Sequence, residues 1–241
     1  MRRMSPFSRV LALVTLAAAS GSVLAENALA PHKAEYKVEI SVLGGRLNTQ
    51  LATTDNGYVA THTVRPTGMA RILSSGQIKE SSEFDRVADG VRPVWFETND
   101  TLTRDKTQAS IQFDWATKEA SGIVNNQDFQ ETFEELVFDR VSIQYELMSD
   151  LLNNTPSAQY VIFDIDELKT VQVRNIGNRK VKVPAGEYDA IGLQHQVIGS
   201  KRITTMWCVE ELDYLPVVIE QHRKGKLKMR AVLKNYEPLA T

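Results

Sequence analysis

Alternating apolar and polar residues form the dominant pattern of this 241-residue chain. At residues 36–42, Tyr36, Val38 and Ile40 alternate with charged or hydroxyl side chains, as in a half-buried antiparallel strand. Similar short runs recur up to residue 236, separated by turn formers such as Gly44-Gly45 and Asn56-Gly57. This pattern predicts an all-β, mainly antiparallel sheet or barrel and not a series of βαβ units.

The C-terminal half contains the clearest strand–turn–strand signal, at residues 181–190. Pro184 fixes its φ angle and Gly186 tolerates positive φ, so Pro-Ala-Gly predicts a tight connection. Before it we predict two separate strands, at residues 170–176 and 180–183. None of the side chains in this stretch is an evident nucleophile or metal ligand, so we interpret it as a turn that sets strand register.

One α-helix is predicted near residues 139–152 and is expected to pack against the sheet. Asp139 is a good N-cap, because its carboxylate lies near free N–H groups at the positive end of the helix dipole. A single apolar stripe follows, formed by Val141, Tyr145, Met148 and Leu152. The segment 153–156, Asn-Asn-Thr-Pro, predicts the end of the helix.

The N-terminus predicts export. Residues 1–25 combine a basic start, a short apolar run and small residues at a cleavage position, which together indicate a cleaved signal peptide. Residues 26–241 are then predicted to form a single β-rich domain in the periplasm, with no transmembrane segment after cleavage. Loss of three arginines changes the net charge from −2 to −5. An acidic chain without a basic excess does not favour nucleic acid binding.

No motif for catalysis, cofactor binding or metal binding is evident, so we predict no catalytic residues, no cofactor and no metal. The four histidines lack zinc-ligand spacing, and the acidic run at 164–167 lacks the ligand spacing and glycine of a calcium loop. That run is therefore predicted to be a solvated turn. Cys208, the only cysteine, is predicted to be a buried, inert thiol.

His195 is the most suggestive of the histidines, because alternation places it on one strand face with Ile191 and Leu193. Two interpretations are open: a core histidine with a satisfied hydrogen bond, or a polar group in an otherwise apolar ligand pocket. For the second interpretation, the candidate ligand-binding residues are His195, Leu193, Ile191, Trp207, Tyr188 and Trp95.

Two polar segments are also open to more than one interpretation. Residues 77–85 form a polar strand, with Ile78, Glu80, Ser82 and Phe84 on one face, that either lies at a sheet edge or lines a wet interior. The last hairpin is basic at Lys226, Lys228 and Arg230. This basic patch either protects an edge strand from aggregation or contacts anionic lipid headgroups or an acidic partner.

Several short motifs resemble an exported bacterial family catalogued as domain of unknown function 3108. They are Gly90-Val91-Arg92-Pro93, Asp139-Arg140-Val141-Ser142 with Tyr145, Val183-Pro184-Ala185-Gly186-Glu187-Tyr188-Asp189-Ala190, Trp207, and Tyr214-Leu215-Pro216-Val217. The resemblance implies a periplasmic protein of the cell envelope, with a strongly curved sheet or incomplete β-barrel and one packed helix. By analogy of fold alone, that shape is similar to lipid-binding envelope proteins. The resemblance supplies no catalytic residues.

These observations lead to one principal functional hypothesis and two alternatives. The principal hypothesis is a non-enzymatic periplasmic protein that binds an apolar or amphipathic ligand, such as a lipid, in the concave face of its sheet. The first alternative is a structural or protein-interaction module that binds another envelope protein. The second is a hydrolase, which would require a polar cluster that sequence does not reveal.

Overall fold

The computed structural model describes residues 27–41, 43–88 and 90–240. The predicted signal peptide, residues 1–25, lies outside the described residues. These described residues form fifteen strands, β1–β15: His32–Ile40, Leu43–Thr53, Gly57–Thr67, Ile78–Val87, Gly90–Asp100, Thr107–Asp114, Glu119–Val124, Gln127–Thr132, Val137–Phe138, Gln159–Phe163, Leu168–Val183, Gly186–Val197, Arg202–Val209, Leu215–Arg223 and Lys226–Pro238. Two α-helices, α1 and α2, span Ala70–Leu73 and Ser142–Asn153, and a 3₁₀ turn spans Glu210–Leu212.

All fifteen strands belong to one sheet, in the order β8-β7-β6-β5-β4-β3-β2-β1-β15-β14-β13-β12-β11-β10-β9. The first and last strands pair at the centre, antiparallel, and a meander extends outward on each side. The β9–β10 pair is parallel, whereas the other thirteen neighbouring pairs are antiparallel. The predicted all-β, mainly antiparallel fold is confirmed.

The sheet curls without closing into a hydrogen-bonded barrel, and its two end regions meet through aromatic side chains. Phe163 of β10 contacts Phe113 of β6 and Phe129 of β8, with ring centroids 5.7 and 6.0 Å apart. Phe133, just after β8, adds a further contact with Phe163 at 6.2 Å. Such edge-to-face aromatic packing stabilises the closure without strand pairing. The predicted incomplete barrel is therefore correct.

Helix α2 packs inside the curve, mainly against β4 and β5. The Asp139 carboxylate accepts hydrogen bonds from the backbone N–H groups of Val141 and Ser142, at 2.7 and 2.9 Å. Asp139 thus caps the turn that leads into α2, as predicted from the sequence, although the helix itself begins three residues later, at Ser142. At the other end Asn154 adopts the left-handed conformation, φ 58°, which terminates the helix.

The half of the β11–β12 hairpin that is next to its turn, residues 178–190, folds back over the sheet. Val181 and Val183 are buried in the core, and the Arg179 guanidinium lies 3.7 Å from the centre of the Trp207 ring. The Ala185 N–H, at the hairpin tip, donates to the Leu233 carbonyl of β15 at 3.3 Å. The Pro-Ala-Gly turn therefore also docks on the sheet, a role that its sequence alone did not predict.

Two local predictions from the sequence were wrong. Residues 170–176 and 180–183 belong to a single strand, β11, whose register shifts between Asn175 and Asn178. The shift is a bulge that bends one long strand, so the interruption in the pattern is not a turn. Gly44 and Gly45 lie within β2, opposite Glu39 and Val38, and the turn comes before them.

Candidate functional site

The inner face of the sheet, defined as the face that α2 packs against, contains an aromatic and polar centre. Tyr145 of α2 is fully buried, and its ring lies 5.4 Å from Phe84 and 5.9 Å from His62. Its hydroxyl is 3.2 Å from His62 Nε2, within hydrogen-bond distance. His32 extends the cluster, with its ring 6.5 Å from Tyr145. The helix and the first strands thus share one partly polar core.

A chain of charged groups continues from this centre to the end of the sheet. Arg140, just before α2, bridges Glu80 of β4 at 3.5 Å and Asp164 at 2.5 Å. Asp164 also pairs with Lys169 at 2.7 Å. Burial raises the pKa of Glu80, although the nearby Arg140 charge opposes this rise. Burial alone would raise the pKa of Asp164, but its hydrogen bonds and ion pairs with Lys169 and Arg140 have the larger effect, so this pKa is lowered.

Strand β4 lines the interior and is not a sheet edge, because it pairs with both β3 and β5. Of its inner residues, Ser82 and Phe84 are fully buried and Glu80 is half-buried. The Ser82 hydroxyl donates to the Asp139 carboxylate at 2.6 Å. Of the two sequence interpretations of this polar strand, the lining of an interior is the one that the structure supports.

His62 and His195 lie deep in the protein and yet keep part of their surface accessible. Burial is the main cause that lowers the pKa of each imidazole to about 4. Both side chains are nevertheless only half-buried. Both side chains point to the inner face, and we call the region bounded by this face the inner space.

Three of the predicted ligand-binding residues lie on this inner face. Ile191, Leu193 and His195 of β12 are paired with Cys208, Met206 and Thr204 of β13, respectively. Leu193 is buried, whereas Ile191 and His195 are half-buried. Cys208 is buried, and burial raises the pKa of its thiol to about 12.

The other three predicted residues lie elsewhere. Trp207 pairs with Gly192 and so points to the outer face, beneath the folded-back hairpin. Tyr188 lies within that hairpin, and its hydroxyl donates to the Ala185 carbonyl at 3.1 Å. Trp95 of β5 donates from its indole N–H to Ser110 at 3.2 Å. The structure therefore does not bring the six residues together.

Sequence reasoning missed His62 as a member of this interior, and it left Glu80 open between a sheet edge and an interior. For His62 a signal was present, because Tyr58, Ala60, His62 and Val64 alternate on one strand face. A second signal concerned Tyr188. It lies three positions from Ile191 on one strand, so alternation places the two side chains on opposite faces. The face of Trp207 depended on the β12–β13 register, which the sequence does not reveal.

The predicted basic patch lies on β15, near its first residue. Lys226 and Lys228 are exposed, whereas Arg230 forms an ion pair with Glu220 at 3.3 Å.

The acidic run at 164–167 is a turn, as predicted, but Asp164 forms ion pairs with Arg140 and Lys169. Among the described residues, no group of His, Cys, Asp and Glu is arranged to hold a metal ion, and no helix is long and apolar enough to span a bilayer.

The fold and the site define a class: a curved, barrel-like antiparallel β protein with one helix inside and a partly polar interior. Residues 33–232 match the family described as protein of unknown function DUF3108. The chain belongs to this family, as its motifs suggested. No curated protein matches.

Solved structures that are similar to this chain include the following two. The first is a β-barrel-like protein of domain of unknown function DUF1849 from Brucella abortus, with a TM-score of 0.60 and 12% identity, over 89% of this chain and 100% of that one. The second is a candidate exported protein with a YmcC-like fold from Bacteroides fragilis, with a TM-score of 0.34 and 11% identity, over 87% and 97% of the two chains. The first similarity supports the barrel-like fold.

Proposed function

We propose that this protein binds an apolar or amphipathic ligand, such as a single-chain lipid, in the inner space of its curved sheet. The observation that carries the proposal is the position of His62 and His195, which lie half-buried on the inner face among apolar side chains. Burial also lowers the pKa of each imidazole to about 4. Neutral imidazoles in an accessible interior are suited to hold a weakly polar group of a mainly apolar ligand.

The composition of the inner face also supports a ligand of this chemistry. Six apolar residues that alternate onto this face are half-buried: Leu47, Val64, Ile78, Ile191, Ile219 and Met229. Such side chains offer an apolar wall that a hydrocarbon chain would remove from water. The charged chain of Glu80, Arg140 and Asp164 lies at one end of the same interior, where a polar headgroup would remain solvated.

The proposed setting is the periplasm, and the proposed role is binding without catalysis. The setting rests on the predicted signal peptide at residues 1–25. The role rests on the character of the interior, where apolar wall and neutral imidazoles suit retention of a ligand. A carrier or sensor of envelope lipids has these properties.

Native mass spectrometry of the protein recovered from its host cells tests the proposal, together with lipid extraction from the same sample. We expect a co-purifying amphiphile, and we expect His195→Trp to reduce its occupancy, since the larger ring would fill the inner space. Gln194→Trp is the matched control, because Gln194 is the adjacent residue and bonds on the other face to Arg174 and Thr205.

The decisive comparison is between the two tryptophan variants. Equal ligand occupancy in both, or an absence of any bound amphiphile after gentle isolation and after incubation with a fluorescent amphiphile, would contradict ligand binding in the inner space. Circular dichroism of both variants separates loss of the ligand from loss of the fold.

A further inference from the structure

Exposed apolar side chains are concentrated at one edge of the sheet. We call this the upper edge: it is formed by the ends of the strands and the turns at the end of the sheet where β1 ends and β15 begins, and it is not an edge strand. Of the ten large apolar residues exposed among the described residues, nine lie there. They are Ile40, Leu43, Met69, Ile72, Leu73, Ile123, Leu168, Ile198 and Leu227. Grouped exposed apolar residues mark interaction surfaces, whereas single ones do not.

The short helix α1 is the most prominent part of the upper edge. Met69, Ile72 and Leu73 are 75%, 76% and 73% exposed. The helix contacts β2 and β3, and Leu43 is the first residue of β2. Only Ala70 of this helix is buried. The helix and the residue before it thus hold three apolar side chains outside the core, where they contribute little to folding.

Positive charge accompanies the apolar residues along the part of the upper edge formed by β12–β15. Arg202 is directly opposite Arg223, and Arg223 is directly opposite Lys226. The two turns of this part touch, since the Lys224 N–H donates to the Lys201 carbonyl at 3.2 Å. Like charges opposite one another on adjacent strands destabilise a sheet.

These cations lack acidic partners within the described part of the chain. None of Lys201, Arg202, Arg223, Lys224 and Lys226 takes part in its ion pairs, which involve other residues. By contrast Arg230, deeper in β15, is paired with Glu220. Among the described residues, this row of adjacent cations without ion pairs therefore lies at the upper edge.

We propose that the upper edge docks on the surface of a bilayer that contains anionic lipids. The apolar side chains of α1 and of the neighbouring turns would enter the headgroup region, and the cations of β12–β15 would contact phosphate groups. Apolar residues combined with lysine and arginine are the composition of surfaces that lie in a membrane interface. An acidic protein would satisfy the charges but would leave exposed apolar residues all along the edge without a function.

This inference goes beyond ligand binding and stands independently of it. Docking would, however, place the membrane beside Arg140, the residue just before α2. Arg140 pairs with Asp164, which follows β10 at the upper edge. A lipid entering the inner space would then pass from the bilayer past Arg140.

Vesicle co-sedimentation with the protein as recovered from its host cells tests the docking. The probes are vesicles of phosphatidylcholine alone and of phosphatidylcholine mixed with phosphatidylglycerol. We expect salt-sensitive binding to the anionic vesicles. Lys224→Gln with Lys226→Gln should weaken it about 30-fold, because each basic residue near an anionic surface contributes roughly a factor of five. Ile72→Ser with Leu73→Ser should also weaken it, without a change in thermal stability.

The matched control is Lys33→Gln with Lys182→Gln, which removes the same charge from exposed positions away from the upper edge. This pair should bind anionic vesicles as the wild type does. Equal binding of wild type to neutral and anionic vesicles, or equal binding of the upper-edge and control variants, would overturn the proposal. Ligand occupancy in the inner space is measured separately, so failure of docking is distinguishable from failure of ligand binding.

Discussion

The carboxylate of Glu146 occupies the space beside Gly90 in which any side chain at that position would lie. A Cβ atom at Gly90 would be 2.2 Å from Glu146 Oε2, and the Val91 N–H donates to the same oxygen at 2.8 Å. Gly90 also has φ 125°, which L side chains rarely adopt. This contact joins the first two residues of β5 to the middle of α2, and so fixes the helix against the sheet.

Substitution of Gly90 should therefore loosen the helix. We expect Gly90→Ala to lower the free energy of unfolding by roughly 3 kcal/mol, through backbone strain and overlap with a buried carboxylate. Gly68→Ala is the control, because Gly68 also has positive φ but has no atom within 4 Å of the added Cβ. Urea denaturation measures both, and equal losses would show that the Glu146 contact is unimportant.

The buried carboxylate of Asp139, which caps the turn before α2, leads to a second prediction. Asp139→Ala removes the acceptor for two backbone N–H groups and for the Ser82 hydroxyl. We expect a loss of roughly 2–4 kcal/mol in urea denaturation, since buried donors would remain unsatisfied. Asp114→Ala is matched, because the exposed Asp114 also accepts from two backbone N–H groups, and its loss should be much smaller. Similar losses for the two variants would count against a special role for Asp139.

The low pKa values of His62 and His195 predict a stability that falls in acid. Between about pH 6.5 and pH 4 the unfolded chain binds protons that the folded imidazoles do not, so stability decreases as pH falls through this range. At about pH 5, each histidine should contribute a loss of roughly 2 kcal/mol. The raised pKa values of Glu80, Asp139 and Asp150 act in the opposite direction.

Single substitutions separate these opposing contributions. In His195→Gln, the difference in unfolding free energy between neutral pH and about pH 5 should shrink by roughly 2 kcal/mol relative to the wild type. Urea denaturation at both pH values measures it. An unchanged pH dependence would mean that His195 is not desolvated in the folded protein.

The folded-back hairpin should be separable from the rest of the sheet. Val183→Asp places a charge at a buried contact and should release the tip, whereas Lys182→Asp alters an exposed neighbour on the same strand. Hydrogen exchange at residues 178–190 should accelerate about 30-fold in the first variant only. Equal exchange in the two variants would contradict docking through Val181 and Val183.

Local patterns were sufficient for the elements but not for the site. Asp139 was identified as a helix cap because capping is a contact between near neighbours in sequence. The polar face of β4 was recognisable for a similar reason, since its alternation is complete within ten residues. Its meaning stayed open, because only the neighbours β3 and β5 decide whether a strand is an edge.

The relationships that define the interior connect residues far apart in the chain. His62 meets Tyr145 across 83 positions, and Val91 meets Glu146 across 55. Trp207 was included with Leu193 among the candidate ligand-binding residues because an aromatic side chain is suited to line a cavity. The actual register pairs Trp207 with Gly192 and so turns it to the outer face. A shift of one residue reverses every side chain of a strand, which composition cannot anticipate.

The central claim is that an amphiphile occupies the inner space, and histidine NMR tests it most directly. In protein with ¹³C-labelled imidazoles, a single-chain amphiphile is titrated while the four histidine signals are followed. We expect the signals of His62 and His195 to shift together with ligand, and that of His222, adjacent to Gln221 and therefore on the opposite face of β14, to remain in place. Saturating amphiphile that leaves His62 and His195 unchanged would contradict the claim.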